Sequence, residues 1–188
     1  MTPLRTSRLT LRDWTTDADD LAFVFDTYSR IEVQRYIGRT PRMMTEPAEA
    51  RAVVERWLTL EDAPLGVRAI TTHAGERLGS LLLKRIPWSA DAAAAGTPED
   101  IEIGWHLHPH AWGHGYASEA AAAVLQQAWD AGILRVVAVT NPANVASQAV
   151  CRRIGMTHRG QTTLYYDTTC ELFDGMRPVE SSPRVQPA

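Results

Sequence analysis

The sequence predicts an α/β (α+β) domain built on one mixed sheet, antiparallel at the front and with a parallel pair in the middle. Three observations lead there. The run Ile101–Leu107 alternates, with Ile101, Ile103, Trp105 and Leu107 on one side and Glu102, Gly104 and His106 on the other, the period of a strand. After a glycine-bearing turn, Ala117, Ala120, Ala121, Val124, Leu125 and Ala128 fall on one helical face. Residues 134–140 are then β-branched and largely apolar, the most strand-like run in the chain. Strand, helix and strand in that order imply a parallel pair joined by a right-handed crossover.

The remaining elements follow in chain order. Residues 8–12 alternate as a first strand. Asp17 offers an N-cap, with Asp19 and Asp20 suited to the first turn of a helix whose apolar side is Leu21, Val24 and Phe25. A polar, basic connection follows, carrying Arg30, Arg35, Arg39 and Arg42. Pro47 opens a second helix with Glu46 and Glu49 near its positive end, and Val53, Val54, Trp57 and Leu58 as its buried face. Residues 67–70 and 78–83 form a hairpin around His73-Ala74-Gly75-Glu76. Residues 87–100 hold proline, glycine and an alanine run without a period, and are expected as a mobile surface loop. Pro109 ends the strand that begins at Ile101, and Pro142 ends the next one. Asn144 caps a helix with Ala146, Ala149, Val150 and Ile154 inward, stopped by Gly155. Two short strands are expected over residues 161–166 and 168–173.

Composition narrows the class. A chain of 188 residues is most simply one domain, with 45% hydrophobic and 22% charged residues, ordinary for a soluble protein. A net charge of −3 argues against a nucleic-acid binder that relies on bulk positive charge. No apolar run approaches membrane-spanning length, and the first residues lack the apolar core of a signal peptide, so a cytoplasmic protein is expected. Cys151 and Cys170 make no disulfide framework and read as free thiols. Two-fold dimers being the commonest oligomers, a homodimer is the default form of any self-association.

The chemistry concentrates after the strand Ile101–Leu107. Gly113-His114-Gly115 lets the backbone present amides at a helix start without side-chain obstruction, and such amides attract anions, phosphate above all. The glycines are followed by no Lys-Ser/Thr, so the pattern is not that of a P-loop nucleotide site. His106, His108, His110 and His114 invite a metal reading, but Pro109 breaks the strand and no cysteine or carboxylate completes a ligand set at suitable spacing. The expectation is no metal.

The chain resembles the GNAT superfamily of acyl-CoA-dependent N-acetyltransferases, in the branch that includes the RimJ and RimL protein N-terminal acetyltransferases. Three stretches carry the resemblance. Leu4-Arg5-Thr6-Ser7-Arg8-Leu9-Thr10-Leu11-Arg12 is similar to that branch's start. Ile103-Gly104-Trp105, then Trp112-Gly113-His114-Gly115-Tyr116-Ala117-Ser118-Glu119-Ala120, resembles its pyrophosphate loop. Asn144-Val145-Ala146-Ser147, followed by Arg153-Ile154-Gly155-Met156, resembles its second cofactor motif. The resemblance extends to about Phe173 and implies a sheet of about seven strands with a splayed central parallel pair and about four flanking helices. It further implies one domain over residues 1–174, with residues 175–188 expected as a disordered tail.

What the resemblance implies for function is transfer of an acetyl group from acetyl-CoA, as co-substrate, to a primary amine. The acceptor would be a protein N-terminus or a small-molecule amine, attacking directly within a ternary complex. Leu107 and His108 at the strand end would meet the pantetheine arm. Trp112, Gly113, His114, Gly115, Tyr116, Ala117 and Ser118 would hold the pyrophosphate, and Asn144 and Ser147 would line the facing wall. The loop motif usually opens with Gln or Arg, where this chain has His110. Many family members carry a tyrosine general acid where this chain has Cys151, whereas Ser147 stands where RimL-like proteins place a serine in that role.

The residues themselves propose a base. Glu102 sits on a strand that the fold covers on both faces, where an unpaired carboxylate is costly. Pairing with an arginine at the sheet surface is the structural alternative. His106, on the same face, is the second candidate. The rival reading is a non-catalytic acyl-CoA-binding module that keeps the loop and lacks the acid and base, supported by Cys151 in place of tyrosine.

Overall fold

The computed structural model describes residues 2–60, 63–93 and 100–178. The chain forms β1 (Leu4–Arg5), β2 (Leu9–Asp13), α1 (Ala18–Tyr28), α2 (Ile31–Gln34), α3 (Pro47–Leu58), β3 (Gly66–Thr72), β4 (Arg77–Arg85) and α4 (Ala90–Ala93). β5 (Ile101–Leu107) and a 3-10 turn (Pro109–Ala111) lead to α5 (Tyr116–Asp130), β6 (Arg135–Thr140), α6 (Val145–Arg153), β7 (Thr157–Thr162) and β8 (Cys170–Met176). Among the described residues the sheet has eight strands in the order β1-β2-β3-β4-β5-β6-β8-β7. The expected mixed sheet is present, one strand larger than the expected seven because Leu4 and Arg5 pair with Leu11 and Thr10.

Each face of the sheet is covered. Leu9, Leu11, Ile70, Leu81, Leu83, Ile103, Val136 and Ala138 pack against Ala120, Ala121, Val124 and Leu125 of α5 and Cys151 of α6. On the opposite face Val67 and Ala69 pack with Trp14, Val24 and Tyr28, and with Ala50 and Val54 of α3. α1 starts as expected, with Asp17 accepting from the Asp20 amide at 2.9 Å. α3 is closed by a capping box between Glu46 and Glu49, which satisfies two otherwise free helix-start amides.

A buried charge ties α1 to the sheet. The fully buried Asp20 carboxylate accepts from Arg12 at 2.7 Å, Arg77 at 2.6 Å and the Thr15 amide at 2.9 Å. Removing an ion from water is costly, and these bonds offset that cost. They hold the carboxyl well below the usual carboxylate range.

Three segments depart from the sequence reading. The basic connection after α1 contains the short helix α2. Residues 87–100 are not simply a surface loop: Trp88 bridges to Tyr165 and stacks on it, ring centroids 4.9 Å apart, and α4 follows. Residues 94–99 lie outside the described residues. The last two strands also shift. β7 begins at Thr157, straight after the Gly155 stop, and bends at Gly160. Tyr166 and Asp167, expected at the edge of the strands, instead form a turn with φ of 59° and 51°. Asp is among the residues that tolerate a left-handed backbone, but Tyr is not, so the pair does not mark the turn. β8 takes in Gly175 and Met176, paired with Val136 and Arg135, two residues expected in the tail. The expected tail from residue 179 onward lies outside the described residues. No helix among the described residues is long and apolar enough to cross a membrane.

Candidate active site

β5 and β6 are parallel and share the register pair Glu102↔Val137. Beyond it the strands part, which leaves the C-terminal half of β5 without a neighbour on that side. The other edge of β5 is fully engaged, from Arg85↔Ile101 to Gly79↔Leu107 of β4. Gly79 is required there, because a Cβ would stand 2.7 Å from the Leu107 Cα. The His108 amide donates to Leu78 at 3.0 Å. By the alternation of an antiparallel ladder, the amides of Trp105 and Leu107 therefore turn away from β4, into the splay.

A cavity of about 1020 Å³ opens there. One end is lined by Trp112, Gly113, His114, Gly115, Tyr116, Ala117 and Ser118, with Asn144, Ser147 and Arg153 of the α6 region opposite. The other end reaches Glu102, Lys84 and Tyr166, then Glu32, Arg35 and Tyr36. Glycine explains the loop. Gly113 and Gly115 have φ of 81° and 77°, and Gly115 is the N-cap of α5, so the first amides of that helix face the cavity. The Trp112 indole donates to the Leu107 carbonyl at 2.8 Å and fastens the loop to the strand end. Behind the loop, Glu119 accepts from the Thr6 hydroxyl at 2.6 Å and from Arg8 Nε at 2.6 Å. Arg8 in turn donates to the His114 carbonyl at 3.0 Å. These bonds hold the Glu119 carboxyl down at about 2.

Among the described residues, the hydroxyls of Ser118 and Thr140 are buried without a hydrogen-bond partner, and both residues line the cavity. Buried polar atoms are normally paired. An extended ligand with amide and phosphate groups fits them, the helix-start amides and the Leu107 amide together.

The sequence-predicted residues fall into place unevenly. Glu102, His106, Leu107, Asn144, Ser147 and Trp112 through Ser118 all line the cavity. His108 does not. Its ring turns to α1, bonding Asp26 at 3.0 Å, because Pro109 starts a 3-10 turn that ends the strand there. Asn144 caps α6 by accepting from the Ser147 amide at 3.1 Å. Cys151 is fully buried, and burial pushes its thiol up to about 12. The four histidines take different partners, His106 bonding Tyr28 at 3.0 Å, His110 the Arg77 carbonyl at 3.2 Å and His114 stacking on Tyr116, with only the His108 and His110 rings close together, centroids 4.4 Å apart. Among the described residues no group of three or more His, Cys, Asp or Glu is placed to hold a metal ion.

Glu102 and His106 differ as bases. Glu102 is buried, and burial raises its carboxyl above the usual range despite Lys84 and Tyr166 beside it. Burial, with Lys84 adding to it, lowers the His106 imidazole to about 4, so the ring is neutral at neutral pH and a weak proton acceptor. Tyr166 and Lys84 were not foreseen. The Tyr166 hydroxyl donates to Glu102 Oε2 and accepts from Lys84 Nζ at 3.0 Å, with Lys84 Nζ 3.7 Å from the same Oε2. Lys84 is the cross-strand partner of Glu102, a register that hydrophobic alternation alone does not fix.

The chain has relatives among known acetyltransferases. An uncharacterized N-acetyltransferase of Bacillus subtilis, YnaD, is 40% identical over 60 residues, a stretch covering 31% of this chain and only 35% of that relative. A second from the same organism, YoaA, is 28% identical over 187 residues, covering 94% of this chain and 98% of the relative. The solved structure of RimL, a ribosomal L7/L12 alpha-N-protein acetyltransferase in complex with coenzyme A, shares the fold with a TM-score of 0.72 at 20% identity. That alignment covers 93% of this chain and 97% of RimL. The family profile of the acetyltransferase (GNAT) domain matches residues 8–157. The chain belongs to the GNAT acetyltransferase family.

Proposed function

We propose that the protein transfers the acetyl group of acetyl-CoA to a primary amine, a protein N-terminus or a small-molecule amine, by direct attack in a ternary complex. The observation that carries the reading is one continuous cavity joining the helix-start amides of α5, the free edge of β5 and the buried Glu102. Acetyl-CoA supplies the acetyl group as a thioester. The α5 amides and Ser118 hold pyrophosphate, and the edge of β5 pairs with the extended arm. In this reading the Leu107 amide donates to the carbonyl oxygen as negative charge develops.

Glu102 takes a proton from the ammonium, freeing the nitrogen lone pair. An α-amine, with a pKa of roughly 8, yields its proton more readily than a lysine amine at about 10.4. The nitrogen–carbon bond forms and the carbon–sulfur bond breaks. The amine's second proton ends on the departing sulfur, with the Ser147 hydroxyl, which lines the cavity, steadying that sulfur. A thiol pKa of roughly 8.5 asks little of an acid, and the buried Cys151 supplies none. RimL's description as an alpha-N-protein acetyltransferase puts protein N-termini among the acceptors to try.

The test is thiol release from acetyl-CoA across a panel of α-amine peptides and small amines, with the acetylated product identified by mass. Turnover with at least one amine supports the reading. Tight acetyl-CoA binding without turnover on any amine overturns it in favour of a binding module.

A further inference from the structure

The catalytic reading leaves unexplained why a buried carboxylate is shared with a lysine and a tyrosine. Both act on one oxygen. The Tyr166 hydroxyl donates to Glu102 Oε2, and Lys84 Nζ stands 3.7 Å from that same atom while donating to the phenol oxygen at 3.0 Å. The Lys84 ammonium also stands 5.4 Å from the centre of the Tyr166 ring. The two residues come from different places, Lys84 from the cross-strand position of β4 and Tyr166 from the turn before β8.

That turn is braced. Tyr166 and Asp167 occupy the left-handed region, which is unfavourable for a bulky side chain such as that of Tyr166. The segment after β4 holds them there. The Asp167 amide donates to the Ser89 hydroxyl at 2.9 Å, and the Ala90 amide donates to the Asp167 carboxylate at 2.9 Å. Ser89 also donates to the carbonyls of Thr163, from its hydroxyl at 2.7 Å, and Leu164, from its amide at 2.7 Å. Trp88 stacks on the buried Tyr165, whose hydroxyl donates to Asp100 at 2.6 Å. The brace fixes the backbone from which the Tyr166 ring reaches Glu102 and Lys84.

Resting on Glu102 as the base, we infer that Tyr166 and Lys84 are positioning residues, held by the residue 88–90 brace, that tie down Glu102 Oε2 and leave Oε1 as the oxygen that takes the amine's proton. A carboxylate free to rotate offers either oxygen in many orientations. One fixed on a single oxygen presents the other in one direction, which saves entropy at the moment of proton transfer. The donors also favour the charged form, so the base is ionised over a wider range of pH than burial alone would allow. Facing Glu102 are Lys84 from β4, Tyr166 from the turn and Cys170 of β8, while His106 lies four residues along β5 on the same side, itself bonded to Tyr28 of α1. Cys170 and the neutral His106 carry no charge to compete with Lys84 near neutral pH.

The experiment compares wild type, Tyr166→Phe, Ser89→Ala and Glu102→Gln in full pH profiles of kcat/KM for one accepted amine. Tyr166→Phe keeps the ring and its packing. The expected result is a kcat/KM roughly 10-fold lower or more, the worth of a hydrogen bond to a charged group, with KM for acetyl-CoA unchanged. The acidic limb should move to higher pH, because a donor to the carboxylate has gone. Ser89→Ala should move that limb in the same direction by a smaller amount, and Glu102→Gln should abolish it. If Glu102→Gln abolishes the limb while Tyr166→Phe leaves limb and kcat/KM as in wild type, the positioning role is wrong and the base stands. If Glu102→Gln itself retains rate and limb, the base assignment fails and this inference with it.

Discussion

Glu102 stands opposite Val137 at the register pair where parallel β5 and β6 meet, and the strands part immediately beyond it. The carboxylate therefore lies at the root of the split rather than at its mouth. Beyond it on β5, the amides of Trp105 and Leu107 turn to the cavity, and no neighbouring strand among the described residues takes them. One structural defect thus makes both the ligand-pairing edge and the buried setting of the base.

The loop end of the cavity depends on backbone conformation. Gly115, at φ 77°, is the N-cap of α5, and a Cβ there would meet only Arg8, at 3.6 Å. The cost of Gly115→Ala is then chiefly the left-handed conformation, about 1–2 kcal/mol, which corresponds to roughly tenfold. Calorimetric titration should show coenzyme A binding about tenfold weaker, in line with that cost. Acetyl-pantetheine, which lacks the pyrophosphate, should bind as it does to wild type.

Asp20 is a stability prediction away from the site. Its carboxylate, bound by Arg12, Arg77 and the Thr15 amide, has a folded pKa held below the unfolded value of about 3.9. A depressed carboxyl contributes stability above the unfolded pKa and loses it as pH falls through that value towards the folded one. Denaturant melts of wild type should therefore weaken progressively below about pH 4. Asp20→Asn should cost about 3 kcal/mol at pH 7, because it leaves two arginines without their buried partner, and should flatten that acid dependence.

Ser147 and Cys151 separate the two candidate acids. Ser147→Ala should lower kcat less than tenfold or so, since a thiolate leaves with little help. Cys151→Ala should leave the pH profile unchanged, its thiol being buried and pushed up to about 12. In the folded protein Cys151 should resist alkylation by iodoacetamide, read by mass after quenching.

The parts of the site written locally were legible in the sequence. Alternation marked β5, a β-branched apolar run marked β6, the glycine pair marked the start of α5, and Asn144 marked that of α6. Each of these rests on residues close in the chain. Tyr166 was missed because it meets Glu102 across 64 residues of sequence, through a turn in which the tyrosine itself is left-handed, a conformation its residue type does not advertise. His108 misled for a related reason. The resemblance sets it beside Leu107 at the strand end, against the ligand, but Pro109 and the bond to Asp26 turn its ring to α1. The brace at residues 88–90 was hidden because small and aromatic residues without periodicity read as loop until Tyr165 is known to lie over them.

The most direct test of the account is the initial rate of thiol release at saturating acetyl-CoA, wild type against Glu102→Gln, with acetyl-CoA affinity measured on the same samples. The account predicts a fall of about 10²-fold or more in kcat/KM for the amine, the loss of one general base, with affinity for acetyl-CoA retained. Equal rates in the two proteins, at equal affinity, would contradict it.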